Sequence, residues 1–597
     1  MNLSLPCYHY PRLSILVFFL GLFEGHADPA ACLVRDGKVI AYAEEERFLR
    51  NKHAFGLYPI NAIKYCLNCV DISLSDISAV GIHWDIASFD NGTIASYFDE
   101  LNSLFDVDEG TSRWQQSMLS SFTSKAVFNR HHFHWTKHFG SIDFPPIVGI
   151  PHHYAHAFQA CFQSPFSSAT CIVMDGSGDV DCTSIWKYEN NAITKLFSRK
   201  IPHSLGWFYA AFTEFLGFEA YDGEYKVMGL ASYGNCNENV RSKLNAILSP
   251  CDSNLYSLDP KYIHYGPHTY SKRFTDHLVE LMGIQPRTPD QSLSQIHKDI
   301  AYEVQYLLES VVTHISDYAI QLTGIDNLCI GGGVGLNIKM NSALHRSTLV
   351  SDFFAHPLCS DGGAAQAAAL VLGHRDNGNE VERLSTLALG PEYSDESIRK
   401  ALDICKLPYQ LSNNISLTAA QFISGGMVVG WFQGRMEAGP RALGQRSILA
   451  DPRCVSSRDK VNAVIKFRED WRPFCPSIAE EFLDEYFDNY YNSPFMNNSF
   501  FATQKLKEIA PAIVHVDGTS RIQAVSKIHN PLYHSLLMSM NSIADLPILL
   551  NTSFNVKGEP IVMSPVDALR TFSASGMDCL CIGNYFLLKN HNISQNG

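Results

Sequence analysis

With 597 residues, the chain is too long for a single compact core and is expected to form two or more domains. Its 46% hydrophobic and 18% charged residues describe an ordinary globular protein rather than a disordered one. A net charge of −14 argues against a nonspecific nucleic-acid binder, whose surface would have to be basic.

The apolar run at residues 13–22 follows Arg12 and admits two readings. With His26-Ala27-Asp28-Pro29-Ala30 behind it, it has the form of a cleavable leader. It also reads as a buried first β-strand that delivers the loop Gly25-His26-Ala27-Asp28 to an active site, and this reading is preferred. No other stretch approaches the roughly 18 apolar residues of a membrane-spanning helix, so a cytoplasmic protein away from membranes is expected. The 16 cysteines follow no regular framework, which fits reduced thiols. Cys66 and Cys69 fall in a helix expected over residues 59–70. The run Glu44-Glu45-Glu46-Arg47 reads as a solvated face.

A strand, a small-residue loop and a hairpin occur twice. The first set ends in a hairpin through Asp36-Gly37. The second runs from a strand at 170–174 through Asp175-Gly176-Ser177-Gly178-Asp179 to a hairpin at Asn190-Asn191. This suggests a duplicated half-domain whose two loops face a nucleotide's phosphates with backbone N–H groups. A long helix is expected over 292–324. A strand at 327–330 then enters Gly331-Gly332-Gly333-Val334-Gly335-Leu336-Asn337, where a ligand can approach the backbone closely. That turn lacks the Rossmann and Walker spacings. The polar stretch 374–383 is the linker candidate, dividing a domain at 1–383 from one at 384–597 that opens with a helix at 394–405. The whole chain reads as α/β.

His152 and His156 stand four apart, on one helix face, at the spacing of a two-histidine metal site. With Asp175 and Asp361 they make a donor set suited to a divalent transition metal, although a His-x-x-x-His pair is also a common structural feature. His26, beside a phosphate-type loop, is a candidate base for an acceptor hydroxyl. In the second domain Arg435, Arg441, Arg446, Lys466, Arg468, Arg472 and Arg521 sit among glycines, prolines and aromatics. Guanidinium forks there suit phosphates and carboxylates, and Leu550-Asn551-Thr552-Ser553-Phe554-Asn555 adds amide and hydroxyl partners. Scattered surface ion pairs are the alternative.

These stretches, together with Gly223 to Gly234 (GEYKVMGLASYG), Gly434 to Pro452 and Lys466 to Pro476, resemble the carbamoyltransferase family that includes nodulation-factor, cephamycin and tobramycin O-carbamoyltransferases. They occur in family order over nearly the whole chain from Gly25. The resemblance implies a first domain of the actin and sugar-kinase ATPase superfamily and a second, YrdC-like α/β domain. It implies that carbamoyl phosphate and ATP form carbamoyl adenylate, whose carbamoyl group passes to a hydroxyl of a small natural product such as an antibiotic, toxin or sugar derivative.

By motif, His152, His156, Asp175 and Asp361 would be ligands of Fe2+ or another divalent transition metal, with Mg2+ accompanying ATP. His26 would be catalytic. Gly331, Gly332, Gly333 and Asn337 would hold the adenosine part. Arg441, Lys466, Arg472, Arg521, Ser553 and Asn555 would bind carbamoyl phosphate and ATP. The expected partners are these small molecules, without nucleic acid or membrane, and a homodimer is admitted. The loop departs from the family's His-Asp-x-Ser/Ala in carrying an extra alanine and a proline, which bears on the roles of His26 and Asp28. Acceptor contacts are expected between Ser88 and Pro145. A sugar-kinase-type phosphotransferase producing ADP, a nucleotide-binding regulator without turnover and transfer to tRNA are competing readings.

Overall fold

The first strand, β1 (Phe18–Phe23), is buried along its whole length, as a strand covered on both faces must be. It pairs antiparallel with β2 (Ala30–Arg35), which turns through Asp36-Gly37 into β3 (Lys38–Glu44). Both turn residues are left-handed, the conformation a tight hairpin requires. On its other side β1 runs parallel to β4 (Ile77–Ile82), and β4 to β5 (Ile147–Gly149), giving the order β3-β2-β1-β4-β5. The computed structural model describes residues 17–251, 255–264, 272–378, 380–469, 471–472 and 474–589, so the start of the apolar run expected at 13–22 lies outside the described residues.

The same plan recurs. β6 (Ala169–Gly178) pairs antiparallel with β7 (Asp181–Glu189), which turns through the left-handed Asn190-Asn191 into β8 (Ala192–Lys200). β9 (Asn327–Gly331) and β10 (Asp352–Ala355) add the parallel side, in the order β8-β7-β6-β9-β10. Two five-stranded sheets of identical topology establish the duplicated half-domain.

The helices His152–Phe162 and Ala364–Asn377 pack between the sheets and against each other. The second is lined with Ala364, Ala365, Ala367 and Ala368, all buried, so that β1 lies directly on its backbone. A Cβ on Gly21 would stand 1.8 Å from the Ala365 carbonyl oxygen. The helix Gln295–Thr323 covers the second sheet and stops at left-handed Gly324. Its counterpart expected at 59–70 forms as Ile60–Asn68.

Between β4 and β5 the chain inserts the helices Ile86–Asp90, Thr93–Leu104, Glu109–Ser121 and Ser124–Phe139. The helix Ala364–Asn377 runs into the polar stretch at 374–383, and Val381 beyond it is buried in the same core.

The C-terminal part is built on an eight-stranded mixed sheet, at whose centre Val429–Phe432, Arg446–Ala450, Ile548–Ser553 and Cys475–Ala479 lie side by side. Side chains alternate across it. Val429, Trp431 and Leu449 pack on the helices Ile415–Ser424 and Pro531–Ala544, whereas Phe432, Ile448 and Ile548 face Asp395–Cys405 and Pro565–Ala574. The chain is therefore a mixed α/β protein. Among the described residues no helix is long and apolar enough to cross a membrane.

Candidate functional site

Four predicted ligands converge. The imidazole Nε2 atoms of His152 and His156 face each other at 3.0 Å. Asp175 Oδ2 lies 3.5 Å from the first and 3.3 Å from the second, and Asp361 Oδ1 lies 3.6 Å from His152. The histidines share a face of one interlayer helix, Asp175 ends the hydrogen-bonded core of β6, and Asp361 opens the turn into the other interlayer helix.

Both imidazoles are 1% exposed, and neither Nδ1 has a hydrogen-bond partner; nor has Asp175 Oδ2. The atoms that converge are the two Nε2 nitrogens, Asp175 Oδ2 and Asp361 Oδ1, and buried polar atoms crowded at one point without a common partner are costly. A divalent cation would satisfy all four groups, so the donor set fits a transition metal. The electrostatics agree. Burial lowers His152, but the Asp175 and Asp361 carboxylates outweigh it and hold the imidazole up at about 9. Burial, then the Asp175 charge, pushes Asp361 up to about 7. Burial lowers His156. A cation would take the place of these protons.

The glycine turn meets this cluster. Gly333 N donates to Asp175 Oδ1 at 3.2 Å, and left-handed Gly332 leaves no room for a side chain, since a Cβ would stand 2.2 Å from the Met174 carbonyl oxygen. Asn337 caps the helix Ile338–His345 through Met340 N and exchanges hydrogen bonds with Gln305 at 2.9 and 3.0 Å. Gly331, Gly332 and Gly333 thus adjoin the ligands, and Asn337 follows one turn on.

His26 is not among the converging atoms. Its ring lies 5.7 Å from that of Tyr221, and its carbonyl accepts from Gly56 N. Asp28, left-handed, packs against Gly362 beside Asp361. It accepts from His53 Nδ1 at 2.8 Å, while His53 Nε2 faces Asp222 at 3.6 Å, and Lys52 also pairs with Asp222. Burial lowers His53, but the Asp222 and Asp28 contacts prevail and raise it to about 10. The Asp28–His53–Asp222 bridge was not foreseen from the sequence. Its only local signal is the position of Asp222 one residue before Gly223.

In the C-terminal sheet, buried Lys466 donates to Ser553 Oγ (3.0 Å), Asn555 Oδ1 (2.7 Å) and the Asn555 carbonyl (3.0 Å). Arg441 and Arg521 make no ion pair among the described residues, and Arg472 has Glu469 at 3.7 Å and stacks on Tyr225 at 4.5 Å. Burial, then the Arg521 charge, lowers Arg441 to about 10. Burial, then Arg472, lowers Arg468 to about 9. Burial and the charges of Arg468, Arg472 and Lys52 drive Lys466 well below its ordinary value. Cations that repel one another in a buried place form a site in want of an anion.

Two arginines of the candidate set are structural instead. Arg446 is fully buried, donates to the carbonyls of Gln433, Pro391 and Gly434 and lies 3.7 Å from the Phe432 ring centroid. Arg435 fastens Leu389, Ile40 and Gly390 carbonyls across the two parts of the chain. Each is consumed by backbone oxygens, leaving no fork for a ligand.

The Glu44–Arg47 run is not a solvated face. All four side chains are buried. Glu44 and Arg47 form an ion pair at 2.7 Å and hold Gly439 N and its carbonyl from the C-terminal part. Glu45 caps Asn61 N and Ala62 N, and Glu46 accepts from His53 N. Arg50, next along, donates to the Pro560 and Ile561 carbonyls. Gly439, held this way, abuts Leu358, so the cationic cluster is fixed beside the segment that carries Asp361.

Residues 19–370 match the family model described as carbamoyltransferase N-terminus, and residues 420–589 the one described as carbamoyltransferase C-terminus. The chain is 35% identical to uncharacterized protein sll1178 of Synechocystis, over 96% of this chain and 97% of that one. It is 34% identical to nodulation protein NolNO of Sinorhizobium fredii, over 94% and 79% respectively. Among solved structures, HypF of T. kodakarensis overlaps 62% of this chain and 49% of that chain at 12% identity, with a TM-score of 0.30.

Proposed function

The chain belongs to the carbamoyltransferase family, and from that premise we propose that this transferase uses ATP to make carbamoyl adenylate from carbamoyl phosphate and then moves the carbamoyl group to a hydroxyl of a small natural product. In this reading residues 384–597 carry the first reaction and residues 1–383 the second.

The observation that carries it is the cluster of buried Lys466 with half-buried Arg441, Arg468, Arg472 and Arg521, set against the segment that leads to Asp361. Phosphates would relieve the cations' mutual repulsion. Arg441, Arg472 and Arg521 would hold the polyphosphate and neutralise the charge that grows as pyrophosphate departs, with Mg2+ accompanying ATP. Lys466, held by Ser553 and Asn555, would orient the carbamoyl group. Carbamoyl phosphate loses its phosphate to water, a carbamate oxygen attacks the α-phosphorus, and pyrophosphate leaves.

In the second reaction the acceptor oxygen attacks the carbamoyl carbon, the bond from that carbon to the phosphate oxygen breaks, and AMP leaves with its electron pair. Gly331, Gly332, Gly333 and Asn337 would seat the adenosine, and His26 would take the hydroxyl proton. His152, His156, Asp175 and Asp361 would hold Fe2+ or another divalent transition metal, which when bound supplies Lewis-acid polarisation. The apposed domains would keep water from the labile adenylate.

The test is to incubate the protein with ATP, Mg2+ and carbamoyl phosphate and no acceptor. Pyrophosphate release that depends on carbamoyl phosphate is expected. Formation of ADP instead would identify a phosphotransferase and end this reading.

A further inference from the structure

The helix His152–Phe162 that carries both imidazoles begins without a cap of its own, since its N-cap residue is Pro151. The missing acceptor comes from elsewhere. Asp179, at the turn between β6 and β7, accepts from His152 N through Oδ2 at 3.0 Å. Its other oxygen, Oδ1, accepts from Asp85 N at 2.9 Å. Asp85 is itself the N-cap of Ile86–Asp90, the first helix of the insertion between β4 and β5. One carboxylate therefore ends on two helices that are 67 residues apart in sequence, and neither oxygen has a cationic partner among the described residues.

The insertion touches the site elsewhere too. Phe122 stacks on Trp84 at 4.1 Å, and Trp84 stands 5.8 Å from the His152 ring. Arg130 makes a forked pair with buried Glu24, two residues before His26. These contacts press the helices against the site, but among the hydrogen bonds of the described residues those of Asp179 bind both the histidine-bearing helix and the insertion at their first turns. Its left-handed backbone (φ 55°) turns the side chain inward at a place where aspartate, asparagine and glycine are tolerated.

We propose that Asp179 is a positioning residue that locks the His152–His156 pair and the helical insertion into one register, so that cation binding and the order of the insertion are linked. The proposal rests on the metal reading above. Linkage is reciprocal: whatever fixes the helix His152–Phe162 also fixes residues 85–90, and loss of the tether weakens both.

The test uses the full-length protein with Co2+ as the probe, read by its visible absorption, and hydrogen exchange at residues 85–90 with and without Co2+. Asp179→Gly removes both tethers while keeping the backbone conformation, and Asp179→Asn removes one, because its NH2 group cannot accept. In the wild type, Co2+ should slow exchange at Asp85, Ser88 and Phe89. In Asp179→Gly, Co2+ affinity should fall at least tenfold, the order expected for loss of a residue that orients a ligand, its absorption band should change shape, and Co2+ should no longer affect those amides. Asp179→Asn should fall between.

Co2+ affinity within twofold of wild type in Asp179→Gly, with protection of residues 85–90 retained, would overturn the proposal. His152→Ala serves as the control for the metal reading. If the wild type takes up no Co2+, that reading falls and the linkage falls with it. If the wild type binds and His152→Ala does not, the Asp179 variants alone decide.

Discussion

Lys466 shows how a single buried charge can be held against its own stability. It sits among Arg468, Arg472 and Lys52, and its partners, Ser553 and Asn555, are neutral. Replacing it with the similarly long, uncharged methionine removes a repelled cation, so Lys466→Met should keep its unfolding free energy within about 1 kcal/mol of wild type in urea titration or exceed it. Pyrophosphate release should nonetheless fall by about 10²-fold or more, the loss expected when the group that orients a reactant is removed. His152→Ala with His156→Ala should abolish stoichiometric metal uptake, measured by elemental analysis after reconstitution. His53 gives a pH signature. Its folded pKa of about 10 lies above the unfolded value of about 6.5. The stabilisation it adds is thus complete below about pH 6.5 and is lost as pH rises toward 10. His53→Gln should cost more unfolding free energy at pH 6 than at pH 10, as equilibrium denaturation at the two values would show.

Among elements, the segment Glu44–Arg50 joins the two parts of the molecule. Removing one member of a buried ion pair leaves the other charge uncompensated, at about 3–5 kcal/mol. Arg47→Ala should therefore lower stability by that order in a denaturant titration, since it strands Glu44, 9% exposed, and frees the Gly439 carbonyl. The sequence could not show this. A run of three glutamates and an arginine carries no mark of burial, because Gly439, the partner that covers Glu44 and Arg47, lies almost 400 residues away. Arg435 and Arg446 misled for the same reason: glycine-rich surroundings suit a ligand fork, and they suit a fork that holds backbone carbonyls equally well. Local signals read truly. The left-handed pairs Asp36-Gly37 and Asn190-Asn191, the cap at Gly324 and the i, i+4 histidines are encoded within a few residues, and each stands where its spacing put it. The Asp28–His53–Asp222 bridge draws on three separate segments, and no spacing rule connects them.

For the whole molecule, the duplicated sheets bring four candidate ligands together, Asp175 from the end of β6 and the other three from the amino-terminal ends of the interlayer helices, and the C-terminal sheet brings a cluster of repelled cations to the neighbouring surface. In the proposed scheme adenylate formation belongs to the second and carbamoyl transfer to the first. The most direct test is carbamoyl-phosphate-dependent pyrophosphate release in a single turnover, measured side by side in wild type, Lys466→Met and the His152→Ala, His156→Ala double variant. Release within about threefold of wild type is expected in the double variant and its loss in Lys466→Met, because in the proposed scheme Lys466 orients the carbamoyl group for adenylation whereas the two histidines serve only the transfer step. Release that survives in Lys466→Met, or that disappears with the two histidines, would contradict it.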